Sequence, residues 1–213
     1  MDLTKLINSR DEISKRIENL LKAGEFELSV NYLRAIHKYL FRDILTANGD
    51  IRTYNIRKKE YVLNGDTVEY PDYHSIESLL NYDLNSEKKI DYRTLSNEEV
   101  VKRIASLTSR IWLVHPFCEG NTRTTCVFIE NYLRYLGYDV NNDIFKENAL
   151  YFRNALVVSN YYNHELFIRY NLKPLEMFFT KLLIDHNIQL SLEDVCIREL
   201  FENAEYVKKK SKK

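Results

Sequence analysis

Apolar residues recur every three or four positions through most of this chain, the spacing that lays them on one face of an α-helix. Ile13, Ile17, Leu20 and Leu21 mark a short helix over Asp11–Ala23, with Gly24 as its stop. Tyr32, Leu33, Ile36, Leu40 and Ile44 predict a second over Leu28–Leu45, ended by Asn48-Gly49. Ile76, Leu79 and Leu80 point inward from a third over Asp72–Leu84. Ser96 and Glu99 form a capping box ahead of Asn97–Leu113, whose inner face carries Val101, Ile104, Thr108 and Ile111. Val127–Leu136 follows, closed by Gly137, with Phe128, Ile129, Tyr132 and Leu133 as core. Helices around Phe145–Ser159, from Pro174 onward and near Leu192–Phe201 complete the series.

One stretch breaks the helical period. Between Asp50 and Tyr70, short runs rich in β-branched and aromatic residues flank Asn64-Gly65-Asp66, a strong hairpin signal. A small β-hairpin flap is expected there. Five glycines and three prolines leave little turn material, which favours helices joined by short polar links. The expected fold class is therefore mainly α, a helical bundle with a β-hairpin flap. The organisation is read as one domain over residues 1–213, with a core of about 24–184, an N-terminal helix 11–23, and a C-terminal helix and basic tail 190–213.

Composition narrows the function classes. Lys plus Arg and Asp plus Glu each total 31, so no overall basic excess argues for nucleic acid. No basic start leads into an apolar leader, and Leu175–Ile184 is far too short to span a bilayer, so a soluble cytoplasmic protein without a membrane partner is expected. Cys118, Cys126 and Cys196 are an odd set without metal-ligand spacing, read as free thiols. The run Lys208–Lys213 reads as a solvated tail. His37, beside an apolar stripe and without a second ligand type one turn away, reads as a packed or surface histidine.

Candidate chemistry gathers in the segment that joins two predicted helices, His115-Pro116-Phe117-Cys118-Glu119-Gly120-Asn121-Thr122-Arg123. A Gly-Asn-Thr turn into a helix presents unpaired amides and the positive end of the dipole, which suits phosphate oxygens. Arg123 can add a charge-assisted, bidentate contact, and Glu119 offers a hard carboxylate for Mg²⁺ bridging substrate phosphates. His115 can take a proton from a hydroxyl that attacks phosphorus. Base, metal carboxylate, amides and cation together are the parts for phosphoryl-type transfer.

The segment resembles the signature of the Fic family, H-x-F-x-[DE]-G-N-[GK]-R-x-x-R, at His115, Phe117, Glu119, Gly120, Asn121 and Arg123. The likeness extends to Ala35–Phe41, Gly49–Arg52 and Asn55-Ile56, and covers about Gly24 to Leu183. It implies a Fic-type bundle that transfers AMP from Mg-ATP to a Ser, Thr or Tyr hydroxyl of a protein. By that resemblance His115 is the general base and Glu119 the Mg²⁺ ligand, while Phe117, Gly120, Asn121, Thr122 and Arg123 form the phosphate and ATP site. The flap residues Val62, Leu63, Val68 and Tyr70 would hold the target peptide by strand addition. Tyr151, Asn154, Asn160 and Asn163 are candidates to approach adenine or ribose. The implied partner is a bacterial protein, with topoisomerase subunits such as DNA gyrase among the plausible targets; self-modification and a homo-oligomer stay open.

Two positions depart from the signature. Thr122 stands where it has glycine or lysine, and Cys126 where it has a second arginine, so a neutral thiol replaces a guanidinium. Ser14-Lys15-Arg16-Ile17-Glu18-Asn19 matches the family's inhibitory pattern [ST]-x-x-x-E-[GN], but the arginine that Glu18 would pair with is absent at Cys126, so restraint of the usual kind is expected to be weak or missing. Two alternatives follow from Cys126 and Thr122: a related enzyme using another nucleotide or phosphate donor, and a catalytically weak nucleotide-binding module.

Overall fold

A computed structural model describes residues 9–203; the predicted basic tail Lys208–Lys213 lies outside them. The described residues divide into two compact units, one made of residues 9–55, 71–96 and 110–142, the other of residues 56–70, 97–109 and 143–203. The helix Asn97–Val114 is shared between them.

The first unit holds α1 (Arg10–Ala23), α2 (Val30–Phe41), α3 (Ile76–Glu87), the end of α4 (Asn97–Val114) and α5 (Asn121–Tyr135). α1 ends where expected, on Gly24 at φ 70°. α2 stops at Phe41, short of the predicted Leu45, because Arg42 turns extended and Asp43 adopts φ 63°, a left-handed turn that the carbonyl of Phe41 closes by accepting from the amides of Ile44 and Leu45. The predicted third helix opens as a single 3-10 turn, Tyr73–Ser75, capped by the Asp72 side chain. α5 starts six residues before the apolar periodicity does, at Asn121, so the second half of the motif is already helical.

α2 packs on α1, α3 and α5. Leu33, Ile36, Leu40, Phe41, Leu80, Phe128 and Leu133 are fully buried, and side chains of this size each contribute about 1.5–3 kcal/mol when taken out of water. Phe26, in the α1–α2 link, lies against Tyr32, Phe128, Tyr132 and Tyr135, with centroids 5.2–5.5 Å apart. The buried Glu87 accepts from the hydroxyls of Tyr92 and Tyr132, hydrogen bonds that offset the cost of taking a carboxylate out of water.

The second unit contains α6 (Asn142–Glu147), α7 (Ala149–Ser159), α8 (Lys173–Leu183) and a short α9 (Glu199–Glu202). The predicted helix Phe145–Ser159 is broken at Asn148, whose amide Nδ2 bonds back to the carbonyl of Ile144. Pro174 falls in the first turn of α8, as its missing N–H requires. Phe145, Phe152, Phe178 and Phe179 interlock as the core, with neighbouring centroids 4.7–5.5 Å apart.

The region expected to form a hairpin contains one antiparallel bridge, Glu60 to Asp66, around the 3-10 turn Tyr61–Leu63. Asn64 and Gly65 both take positive φ, so the turn was read correctly. The flanking residues do not alternate as a two-stranded ribbon requires: Val62 and Leu63 are adjacent and both buried, as is Val68, while Tyr61 and Glu69 are exposed. Ion pairing of Glu60 with Arg153, a hydrogen bond from the Tyr161 hydroxyl to Asp66 (2.8 Å) and one from Asn64 to the Leu200 carbonyl (2.9 Å) pin the loop to its own unit.

Candidate active site

The motif occupies the α4–α5 connection, and two residues outside it give that loop its shape. Arg52 is 2% exposed. Its guanidinium donates to the carbonyls of His115 (2.9 Å), Tyr54 (2.7 Å) and Pro71 (2.8 Å), and its own amide donates to the carbonyl of Pro116 (2.8 Å). The planar fork thus joins the His115 carbonyl, just past the end of α4, to the carbonyls of Tyr54 and Pro71 on two other segments. His37 stacks on the buried ring of Phe117 at 3.9 Å. The amide of Gly49 donates to its Nδ1 (2.7 Å), which places the ring proton on Nε2, and that proton bonds the Glu119 carbonyl (2.9 Å).

Burial pulls the pKa of His37 down to about 4, against a smaller upward pull from the Glu119 carbonyl and Asp50. The folded value lies below the ordinary one, so the unfolded chain takes up the proton first as pH falls. Stability from this group is complete above pH ~6.5 and is lost on the way down to pH ~4, by roughly 3 kcal/mol at most. The His37 ring resonances should hold neutral-imidazole positions down to pH 5, and titration near pH 6.5 would remove His37 from this role.

His115 is 4% exposed and sits at φ 48°, a conformation that costs a residue with a β-carbon about 1–2 kcal/mol. Contacts on both main chain and ring hold it: its amide donates to the Trp112 carbonyl (3.1 Å), its carbonyl accepts from Arg52, and its ring meets the Trp112 indole edge to face at 5.3 Å. Nδ1 lies 3.3 Å from the Trp112 carbonyl. A carbonyl only accepts, so the proton of the neutral ring belongs on Nδ1 and the lone pair on Nε2, the atom suited to act as base.

Gly120 caps α5 at φ 80°, and a β-carbon there would come within 2.4 Å of the Phe41 ring. Both backbone and space therefore demand glycine. Asn121 is buried and closes the turn, accepting from the Phe117 amide (2.9 Å) and donating to the Phe117 carbonyl (2.7 Å). Its side chain serves the loop, which leaves the amides of Asn121, Thr122 and Arg123 as this helix end's contribution to an anion. Thr122 accepts from the Trp112 indole (3.0 Å), tying the two ends of the motif together. Arg123 is half-buried and its pKa is lowered, first by burial and then by the Arg10 guanidinium, with Glu119 acting in the opposite direction. Cys126 lies one turn beyond Arg123; burial and the carboxylate of Glu130 push its thiol up, so it stays neutral.

The profile of the Fic/DOC family matches residues 27–133, about half of the chain. The chain belongs to the Fic/DOC family. Among its relatives, the probable protein adenylyltransferase y4lH of Sinorhizobium fredii is 30% identical over 126 residues, 59% of this chain and 62% of that protein. The protein adenylyltransferase VbhT of Bartonella schoenbuchensis is 30% identical over 147 residues, 68% of this chain and 28% of its own length. This Fic/DOC chain thus spans under two thirds of both relatives. The fold is that of the BepC effector protein from Bartonella tribocorum, solved with bound AMPPNP, at a TM-score of 0.59 and 17% identity over 81% of this chain and 84% of that one.

The remaining predicted residues of this Fic/DOC protein fall elsewhere. Ser14 and Glu18 are exposed on α1. Of the flap residues, Val62, Leu63 and Val68 are packed inside the second unit and Tyr70 is half-buried. Tyr151 is buried with its hydroxyl on the Pro174 carbonyl, Asn154 accepts from Arg153, Asn160 pairs with Ser109 and the Leu156 carbonyl, and Asn163 pairs with Tyr161 and the Leu166 amide. These groups are spent on local structure. Sequence reasoning read His37 as a packed or surface histidine, and it is packed, but gave neither it nor Arg52 a role at the loop, although both fall in the two stretches, Ala35–Phe41 and Gly49–Arg52, that carry the family likeness outside the motif.

Proposed function

We propose that this protein transfers AMP from Mg-ATP to a hydroxyl of a protein acceptor. The observation that carries the reading is the α4–α5 loop, where a histidine with its lone pair on Nε2, the Glu119 carboxylate, the Arg123 guanidinium and the open amides of α5 come from nine consecutive positions. In the reaction, the acceptor oxygen bonds to the α-phosphorus, the bond from that phosphorus to the bridging β-phosphate oxygen breaks, and pyrophosphate leaves. His115 Nε2 accepts the hydroxyl proton, and the α5 amides with Arg123 stabilise charge on the phosphate oxygens. Phe117 contributes from the core as the platform on which His37 holds the loop.

Among the described residues no cluster of three or more His, Cys, Asp or Glu could hold a metal by itself. That fits Mg²⁺, which binds through one or two carboxylates and the phosphates it arrives with, Glu119 being the carboxylate at hand. Bound there, Mg²⁺ would neutralise charge on the phosphate oxygens. Glu119→Gln should lower Mg²⁺-dependent label transfer by on the order of tenfold or more, and a variant as active as the wild type would remove Glu119 from metal binding.

Target docking falls to the segment 62–70 by strand addition, and with Val62, Leu63 and Val68 packed inward the main chain has to engage the peptide. Restraint by Glu18 is weak, because the neutral thiol of Cys126 offers it no charge to pair with. The same thiol supports a second reading, transfer from another phosphate donor. Incubation with Mg²⁺ and ATP labelled at the α- or the γ-phosphate separates them: α-label on protein supports AMP transfer, γ-label alone indicates phosphorylation, and neither points to another donor or a silent module. No helix of the described residues is long and apolar enough to cross a membrane, and no disulfide joins Cys118, Cys126 or Cys196.

A further inference from the structure

Trp112, the one tryptophan of the chain, is 2% exposed and lies in the last turn of α4. Its carbonyl is 3.3 Å from Nδ1 of His115, and its indole meets the imidazole at 88° with the centroids 5.3 Å apart. One residue therefore bears on both the tautomer and the plane of the ring whose Nε2 carries the lone pair. A buried indole N–H needs an acceptor of its own. Trp112 Nε1 donates to Oγ1 of Thr122, 3.0 Å away in the first turn of α5. Position 122 is where the chain departs from the family signature, and neither the glycine nor the lysine of that signature has a side-chain acceptor. The departure thus has its counterpart across the loop: threonine anchors an indole that glycine or lysine could not.

We propose that Trp112 is a positioning residue for His115, and that the Thr122 hydroxyl acts on proton transfer through this indole instead of on the nucleotide. Anchored at Nε1, the indole is held against turning about its side-chain bonds, and the imidazole packed on it keeps Nδ1 at the Trp112 carbonyl. Without the anchor the imidazole gains freedom to turn, and a smaller share of molecules presents Nε2 to the acceptor hydroxyl. This positioning rests on His115 being the base of the proposed function, and holds whichever group is transferred.

Thr122→Val removes the acceptor and keeps the shape of the side chain, whereas Thr122→Ser keeps the acceptor. In the full chain, Thr122→Val should lower kcat for α-label transfer about tenfold and move KM for Mg-ATP by less than about twofold, and Thr122→Ser should recover most of the loss. Adding Thr122→Val to Trp112→Phe should cost little beyond Trp112→Phe alone, since a phenyl ring has no N–H to anchor. Nuclear magnetic resonance reads the same contact without any transfer. In Thr122→Val the single indole N–H signal should move, and the His115 ring nitrogens, observed at about pH 8, should shift from the Nδ1–H tautomer toward a mixture. An unchanged kcat, a raised KM with kcat held, additive losses in the double variant, or a tautomer indifferent to Thr122→Val would each overturn the positioning. Should the wild type transfer no α-label, the AMP-transfer reading falls by itself, and the His115 tautomer alone decides for or against Trp112.

Discussion

His115→Ala should reduce transfer of α-phosphate label to protein by about 10²–10⁴-fold, the usual contribution of a positioned general base, while the thermal midpoint stays near the wild-type value. Alanine keeps the β-carbon, so the backbone at φ 48° bears the same cost in both proteins. The hydrogen bonds that hold the turn, from the His115 amide to Trp112 and from Arg52 to the His115 carbonyl, are main-chain contacts on the His115 side and persist. The substitution removes the Nε2 lone pair, the Nδ1 hydrogen bond to the Trp112 carbonyl and the edge-to-face contact with Trp112, and leaves the main-chain hydrogen bonds of the turn in place. Binding of Mg-ATP should survive, which separates loss of proton transfer from loss of the nucleotide site. Transfer by the variant at more than about a tenth of the wild-type rate would show that another group takes the proton.

Arg52→Met should destabilise the protein by about 3–5 kcal/mol, since each carbonyl left without its donor costs roughly 1–3 kcal/mol where it is buried. Methionine fills a similar volume but strands the carbonyls of His115, Tyr54 and Pro71, each of which accepts from the guanidinium within 3 Å. Arg52→Lys should recover little, since a single ammonium cannot span acceptors arranged around a planar fork. Chemical denaturation measures the loss, and the same samples should show transfer falling with the fraction folded and beyond it, because the carbonyl of the base residue is one of the acceptors. A midpoint within about 1 kcal/mol of the wild type would mean that water satisfies those carbonyls as well as Arg52 does.

The sequence by itself determined which segments are helical, since burial of a 3.6-residue stripe leaves its period in the order of the residues. It also gathered the candidate reacting groups: His115, Glu119, Gly120 and Arg123 are close in the chain, so their proximity needs no tertiary fold to be seen. Helix ends were less legible. The left-handed turn at Asp43 shortens α2, and the start of α5 at Asn121 depends on a side-chain lock between Asn121 and Phe117 that no periodicity records. The hairpin over 61–70 was misjudged in kind, because Asn-Gly specifies a turn while the fate of the flanking residues depends on what they pack against.

Tertiary structure alone decided which residues support the site. Arg52 lies more than 60 positions from His115, and His37 more than 80 from Glu119. A polar residue in a local pattern gives no sign of a carbonyl it will meet after so long an excursion of the chain. Local spacing carries the reacting groups; burial and long-range packing decide how they are held, because only a folded core makes an unpaired carbonyl or a buried charge costly.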